Sequence, residues 1–360
     1  MKLTDVINEL VEERGLDRSV LDEIIKEGLL SAYKKKYPEL ILEADVDKIT
    51  GDLTVKVKKE VVSAVEHEDS QISLKKARFV DKKAEIGSGV WLPFEGLIGR
   101  VEVLRARQVI AQKIRHIEAA AVYNEFKNKE GEIVYGTIHK CERNGMVIKI
   151  DDALAFLPKT GASPLDKCAV GFPLRTLLKE VLPEPRNDNQ LILDRTSELF
   201  LQQLFKLEIP EIFEKLIEIR RIVRIAGYKS KIAVASNDRN IDPVGTCVGV
   251  GGSRIRPILE EIGGEKIDVI PWSDSPEELI KNSLKPAKIS RVEFVDKKVA
   301  RVWLDEDQRS FAIGKGGQNI ALASRLTGID IQLVQEGQRQ EAKSLESNIF
   351  KDTDDELEEQ

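Results

Sequence analysis

Two short glycine-rich stretches, Val248-Gly249-Val250-Gly251-Gly252 and Ile313-Gly314-Lys315-Gly316-Gly317, decide how the C-terminal half of the chain folds. Each stretch lies between two predicted helices, in segments that share one order of elements: helix, strand, strand, helix, helix, strand. We call these segments the first repeat (residues 198–275) and the second repeat (residues 276–345). A pattern kept twice over such lengths predicts two copies of one α+β domain.

The glycine stretches are suited to binding an anion. We call residues 249–252 the first loop and residues 314–317 the second loop. Glycine allows positive φ and a close approach to another backbone, and a turn that leads into a helix directs N–H groups at a phosphate. In the second loop Lys315 adds a positive charge, and Gln318 and Asn319 add donors.

Other phosphate-binding loops do not fit the spacing. A Walker loop needs Ser or Thr after its lysine, but Gly316 follows Lys315. A dinucleotide loop needs a third glycine where Arg254 stands. The chain therefore lacks the residues for nucleotide hydrolysis or redox chemistry, and we expect no enzyme activity and no cofactor.

The net charge of −6 does not argue against nucleic acid, because seven acids and one base between residues 346 and 360 account for all of it. Basic residues cluster in the two repeats, and each phosphate contact adds salt-sensitive affinity. They are Arg220, Arg221, Arg224, Lys229 and Lys231 in the first repeat, and Lys281, Lys285, Lys288, Arg291, Lys297, Lys298 and Arg301 in the second. Only 5% of residues are aromatic, which favours backbone binding of a short single strand over base stacking.

The cysteines and the hydropathy exclude other classes. Cys141, Cys168 and Cys247 stand far apart without paired histidines, so we expect neither a disulfide nor a zinc site. The N-terminus has no apolar segment typical of a signal peptide, and no apolar run reaches the ~20 residues of a membrane span. These observations predict a soluble, cytoplasmic protein.

The first 197 residues predict two further domains. Helices over 4–15, 19–37 and 101–127, with a hairpin over 40–62 that turns at 49–52, form an N-terminal α/β domain over residues 1–127. Five short strands within 132–194 predict an OB-like barrel over residues 128–197. A small β-sandwich without a ligand is the alternative. The apolar run around Phe156 favours a core position for this side chain over stacking on a nucleic-acid base.

The residues around the first loop resemble the NusA family of bacterial transcription factors. The similarity is carried by residues 207–212, 236–238, 242–249 and 263–268, and by the order of domains over residues 1–335. The resemblance implies an α+β multidomain fold. It consists of an RNA-polymerase-binding domain (1–127), an OB-fold β-barrel of the S-one type (128–197), two tandem type II (bacterial-type) KH domains (198–275 and 276–345) and an acidic disordered tail (346–360).

The same resemblance implies an RNA-binding elongation factor that modulates pausing, termination and antitermination. Its partners would be RNA polymerase, nascent single-stranded RNA, other Nus factors and Rho, and we expect a monomer with no membrane contact. The implied RNA-binding residues are Gly249, Val250, Gly251, Gly252, Ser253, Arg254, Gly314, Lys315, Gly316, Gly317, Gln318 and Asn319, with His139, Lys231 and Arg256 as further candidates.

The chain departs from the family in its first loop. Family members commonly have a basic residue there, whereas Val250 and Gly251 are uncharged, so backbone amides with Arg254 or Arg256 would have to attract the phosphate. Two other functions stay open: a component of an RNA-degrading assembly, and a ribosomal or ribosome-assembly protein. A further hypothesis is that the acidic tail mimics RNA and competes for the basic surfaces.

Overall fold

The computed structural model describes residues 18–46, 53–94, 96, 99–187 and 189–335. The chain divides into two compact units, residues 1–121 and 122–360. The helix expected over 4–15, the turn at 49–52 and the acidic tail lie outside the described residues. The α+β multidomain class is confirmed.

The first unit combines helices with a four-stranded sheet. Its elements are α1 (Arg18–Lys36), β1 (Ile41–Val46), β2 (Leu53–Val62), β3 (Gln71–Ser73), α2 (Leu74–Val80), β4 (Gly89–Pro93) and most of α3 (Arg100–Phe126). Strand β2 pairs antiparallel with β1 and β4 and parallel with β3. Leu21 and Ile24 of α1 are buried against Ile114 of α3, as their helical spacing predicts.

Three short elements between residues 63 and 100 are absent from the sequence prediction. β3, α2 and β4 have three, seven and five residues, too few for a hydrophobic period to stand out. They bury Ile72, Ala77 and Val90 in one small core with Val61 of β2. The fold of this region is therefore determined by contacts between residues that are far apart in the sequence.

The second unit begins with a closed five-stranded barrel, not a sandwich. Its strands are β5 (Ile133–Glu142), β6 (Gly145–Ile150), β7 (Ala153–Pro158), β8 (Pro173–Arg186) and β9 (Asn189–Asp194), in the order β5-β6-β7-β9-β8. Strand β8 pairs back onto β5 and closes the barrel. The strand number and closure match the predicted OB-like barrel.

The expectation that the cysteines form no disulfide is wrong for one pair. Cys141 on β5 and Cys168 before β8 are bonded, with Cα atoms 6.1 Å apart. They are 27 positions apart in the sequence, and the antiparallel pairing of β5 with β8 brings them together. Cys247 is free and buried.

The two repeats have the predicted order of elements. The first contains α4 (Glu198–Glu208), a short α5 (Pro210–Phe213), β10 (Ile217–Ile225), β11 (Lys229–Ser236), α6 (Pro243–Val248), α7 (Arg256–Glu261) and β12 (Lys266–Pro271). The second contains α8 (Pro276–Ser283), β13 (Arg291–Asp296), β14 (Val299–Leu304), α9 (Glu306–Ile313), α10 (Gln318–Thr327) and β15 (Asp330–Gln335). In each repeat the first two strands are antiparallel, and the last strand lies parallel to the middle one.

A buried arginine joins the barrel to the first repeat. The side chain of Arg195 is 2% exposed, and its Nη2 lies 2.9 Å from Asp166 Oδ1 of the β7–β8 connection. Its Nη1 lies 2.7 Å from Glu261 Oε1 at the end of α7. Because a buried guanidinium is stable only with matched acceptors, these contacts hold the barrel and the first repeat together.

The two repeats pack through an apolar interface. Leu322 and Leu326 of α10 are buried against Val223, Ala233 and Ile270 of the first repeat's sheet. Helix α10 follows the second loop directly, so this interface also fixes the place of that loop.

Candidate nucleic-acid interface

The two loops have the same backbone conformation. The first glycines, Gly249 and Gly314, have φ/ψ of 75°/167° and 70°/176°, and the middle glycines, Gly251 and Gly316, have 60°/22° and 62°/25°. In both loops the last glycine donates to the carbonyl of the first, at 3.1 and 3.2 Å respectively. Within these four residues the two loops therefore share their backbone geometry and differ in their side chains.

Glycine is required at the start of each loop for packing as well as for conformation. A Cβ on Gly314 would lie 2.7 Å from Asn319 Cβ, and one on Gly249 would lie 2.8 Å from Ser253 Oγ. A Cβ on Gly251 or Gly316 would meet no atom within 4 Å. The middle of each loop is thus open to a ligand.

The second loop combines an exposed cation with the start of a helix. Lys315 is exposed, and α10 begins at the next residue after the loop and runs for ten residues. The N-terminal end of such a helix carries a partial positive charge and favours phosphate. Lys315, the loop backbone and the helix terminus therefore form a positive site.

Two further candidates in the second repeat point inward. Asn319 is 3% exposed, and its amide donates to the carbonyls of Phe311 and Ala312, both at 3.2 Å. Gln318 is half-buried, with a buried Oε1 that accepts no hydrogen bond within the part of the chain described. Asn319 thus stabilises the loop from behind, and its direct RNA contact stays a prediction.

The first loop presents an apolar tip. Val250 is 96% exposed. Arg254 lies 2.8 Å from both carboxylate oxygens of Glu211, and its side chain lowers the pKa of Glu211 by hydrogen bonding. Arg256 is exposed and donates to the carbonyl of Gly251 at 3.3 Å. Arg256 is therefore the cation that faces the first loop, while Arg254 is held in an ion pair; Ser253 is exposed beside them.

The first loop also lacks a helix that starts immediately after it. Helix α7 begins only at Arg256, and Pro257 stands in its first turn. Proline has no N–H and its ring clashes with the carbonyl four residues earlier, which here belongs to Ser253. The turn before Arg256 therefore cannot join α7, and only the second loop of the two is followed directly by the N-terminal end of a helix.

Most of the basic cluster predicted on the first repeat's strands is used within the fold. Arg224 is buried, with its Nη2 2.8 Å from Glu265 Oε2. Arg221 donates to the carbonyl of Leu326 in the second repeat at 2.6 Å. The sequence-based view of this cluster as a phosphate-binding surface therefore needs correction, because these side chains hold elements together.

Lys231 is likewise turned inward. Its side chain is fully buried, with Nζ 2.7 Å from Asp268 Oδ2, and burial lowers its pKa. Its predicted RNA contact has no support in this geometry. The cations of the second repeat are more accessible. Exposed ones are Lys285, Lys288, Lys297, Lys298 and Arg301.

The barrel presents aromatic and imidazole side chains on its outer surface. His139 is exposed on β5, and Tyr135 on the same strand is 56% exposed with the Arg175 guanidinium 5.4 Å from its ring centre. Phe156 does not fill the core as expected, because the alternation along β7 puts its neighbours Ala155 and Leu157 inside. Phe172 is 59% exposed. Phe172 is thus a further stacking candidate, which sequence reasoning did not name because it lies in a loop without a motif.

Metal binding and the chemistry of the free thiol both lack support among the described residues. No group of three His, Cys, Asp or Glu side chains there could hold a metal ion. Burial raises the pKa of the Cys247 thiol to about 12, so this cysteine is protonated and inert near neutral pH. None of the described helices is long and apolar enough to cross a membrane.

Comparison with known proteins identifies similar chains over most of the sequence. Residues 2–120 match the NusA N-terminal domain, residues 195–272 the NusA-like first KH domain and residues 276–341 the NusA-like second KH domain. The transcription termination/antitermination protein NusA of Thermus thermophilus is 34% identical over 346 residues, which cover 92% of this chain and 89% of that protein. The protein of the same name from Bacillus subtilis is 31% identical over 338 residues, 93% of this chain and 91% of that protein.

Part of the chain is also similar to a domain whose structure has been solved. The solution structure of the N-terminal domain of NusA from B. subtilis has 28% sequence identity and a TM-score of 0.26, and the match covers 32% of this chain and 94% of that one.

Proposed function

The chain belongs to the NusA family of transcription termination/antitermination proteins, and from this premise we propose how it acts: it binds nascent single-stranded RNA chiefly through the second loop and RNA polymerase through its N-terminal domain. It is an RNA-binding transcription factor that modulates pausing, termination and antitermination. The polymerase supplies the chemistry, and this chain contributes no catalytic group. We place it in the cytoplasm as a monomer, with other Nus factors and Rho as further partners.

The observation that carries the proposal is the pair of glycine loops with one backbone conformation and open middle positions. A phosphodiester backbone repeats a negative charge at regular intervals, so two such loops on one rigid unit suit a single strand that passes both. The second loop adds Lys315 and the start of α10, and it contributes most of the electrostatic affinity.

The domain boundaries belong to the proposal. Residues 1–127 bind the polymerase, 128–197 form the barrel, 198–275 and 276–345 form the KH domains, and 346–360 form an acidic tail. Support for a protein partner at the N-terminal domain comes from exposed apolar side chains. Phe79 is 85% exposed, Ile86 62%, Val101 72% and Leu104 64%, and such residues are common at protein interaction surfaces.

The proposal is tested with the full chain and purified core RNA polymerase. Co-sedimentation of the chain with polymerase, together with altered pause lifetimes in a single-round transcription assay, is the expected result. The variant Phe79→Ser with Ile86→Ser should bind polymerase more weakly while its RNA affinity is unchanged. Sedimentation with ribosomal subunits but not with polymerase would contradict the proposal.

A further inference from the structure

The second loop is held in place by residues of the first repeat. Helix α10 begins where the loop ends, and both ends of this helix contact the first repeat's sheet. At its far end the carbonyl of Leu326 accepts from Arg221 at 2.6 Å. At its near end the contact is made by Asn319, the second residue of the helix.

Asn319 links three parts of the second repeat. Its Nδ2 donates to the carbonyls of Phe311 and Ala312 in α9 at 3.2 Å and lies 3.4 Å from the carbonyl of Leu284 after α8. Its Cβ also occupies the space that requires glycine at position 314. The rotamer of Asn319 therefore determines how the loop sits between α9 and α10.

The amide oxygen of Asn319, Oδ1, accepts a hydrogen bond from a lysine of the first repeat. Lys229 Nζ lies 3.2 Å from Asn319 Oδ1 and 2.7 Å from Asp268 Oδ2. Lys231 Nζ lies 2.7 Å from the same Asp268 oxygen. Because one carboxylate faces two ammonium groups, it neutralises only part of their charge, and the Asn319 carbonyl oxygen receives a charge-assisted hydrogen bond from Lys229.

We propose that Lys229 is a positioning residue for RNA binding: through Asn319 it sets the geometry of the second loop from the first repeat. This inference rests on the proposed function, because it concerns the loop to which RNA binding is assigned. It makes the affinity of the second KH domain depend on a side chain of the first. Lys229 need not touch RNA, since its side chain is 17% exposed and already has two partners.

The alternative role for Lys229 is a direct phosphate contact, and the two roles predict different salt dependence. Loss of one phosphate contact to a single strand makes the negative slope of log affinity against log salt less steep by about 0.7. Loss of a positioning contact weakens binding and leaves that slope close to the wild-type value. The structure favours the second behaviour.

The test uses the full chain with the variant Lys229→Met, which keeps the aliphatic length and removes the ammonium group. Lys229→Arg is the rescue variant, and Lys298→Met removes an exposed lysine of the second repeat as a matched control. Hydrogen exchange without RNA should be faster at residues 314–320 in Lys229→Met than in the wild type and the other two variants. The RNA affinity of Lys229→Met should fall about fivefold, which is the lower end of the range for coupling between two sites. The slope of log affinity against log salt should stay at the wild-type value in this variant.

A second comparison, made in a chain whose second loop is already altered, separates the positioning role of Lys229 from its other effects on RNA binding. In a chain whose second loop carries Lys315→Asp and Gly316→Asp, Lys229→Met should cause no additional loss of RNA affinity. An equal loss in both backgrounds, a salt slope less steep by about 0.7, or unchanged exchange at residues 314–320 would overturn the inference. A wild-type chain that binds no RNA would refute the proposed function instead, and the exchange measurement would still decide the coupling.

Discussion

Replacement of Val250 by lysine should give the first loop the exposed cation that Lys315 provides in the second. The backbone angles of the two loops agree within 10°, and Lys315 occupies in the second loop the place of Val250 in the first. Val250 is 96% exposed, so its removal costs almost no buried apolar area. Any change in RNA binding would then come from the added charge.

The magnitude follows from counterion release. One additional phosphate contact to a single strand makes the negative slope of log affinity against log salt steeper by about 0.7. Between about 50 and about 200 mM salt, this makes the gain in affinity about 2.5-fold larger at the lower concentration. The thermal stability of the variant should equal that of the wild type.

The assay is fluorescence anisotropy of a labelled single-stranded RNA at several salt concentrations. Val250→Gln is the control, because it changes the size and polarity of the side chain without adding a charge. If Val250→Lys leaves the slope unchanged, the first loop does not face phosphate, and the assignment of the first loop as an RNA-binding element is refuted.

Three further predictions concern the framework of the second unit. Glu265→Gln should destabilise the protein by about 3 kcal/mol in chemical denaturation, because it leaves the buried Arg224 guanidinium without its anion; equal stability would contradict this role. Cys141→Ser should cost about 3.5 kcal/mol under oxidising conditions, as a closed loop of 27 positions implies, and nothing under reducing conditions. A loss that persists in reductant would argue against the disulfide. Asp194 has a lowered pKa: burial raises it, but hydrogen bonds from Ser197 and Thr196 outweigh burial. The ionised Asp194 carboxylate therefore stabilises the fold above the ordinary pKa of 3.8, and this stabilisation is lost as pH falls through the lowered pKa of the folded protein. In that acidic range the stability of Asp194→Asn should depend less on pH than that of the wild type.

The repeated domains could be predicted from the sequence because every level of pattern agreed. Gly249 and Gly314 follow short helices in equal positions, and the strands on either side alternate clearly. The structure reproduces both repeats with the predicted element order. Long local patterns and their repetition were sufficient, since each element could be recognised without knowing what it packs against.

Side-chain partners could not be predicted in the same way. The sequence predicts that Lys231 and Arg224 belong to a basic surface. Their partners, Asp268 and Glu265, lie 37 and 41 residues further along the chain. The pairing arises because β12 lies parallel to β11, which a charge pattern along one strand does not reveal. A cationic residue on a strand is therefore weak evidence for a phosphate site until its neighbours are known.

The Cys141–Cys168 disulfide was missed for the same reason. Spacing in the sequence argued against it, and only the closure of the barrel by β5 and β8 brings the two residues together. The difference between the two loops could be predicted in part, because Val250, Lys315 and Pro257 are visible in the sequence. That Pro257 delays the start of α7 became clear only from the helix bounds.

The most direct test of RNA binding by these loops compares two matched double variants of the full chain. One carries Lys315→Asp and Gly316→Asp in the second loop, and the other carries Val250→Asp and Gly251→Asp in the first. Aspartate tolerates positive φ better than most residues, and neither middle glycine has a neighbour that a side chain would strike. Because both glycines have positive φ, both variants should stay folded and lose a similar, small amount of stability to backbone strain. We expect the affinity for single-stranded RNA at low salt to fall about tenfold or more in the second-loop variant and less in the first-loop variant. A folded second-loop variant with wild-type RNA affinity would contradict the assignment.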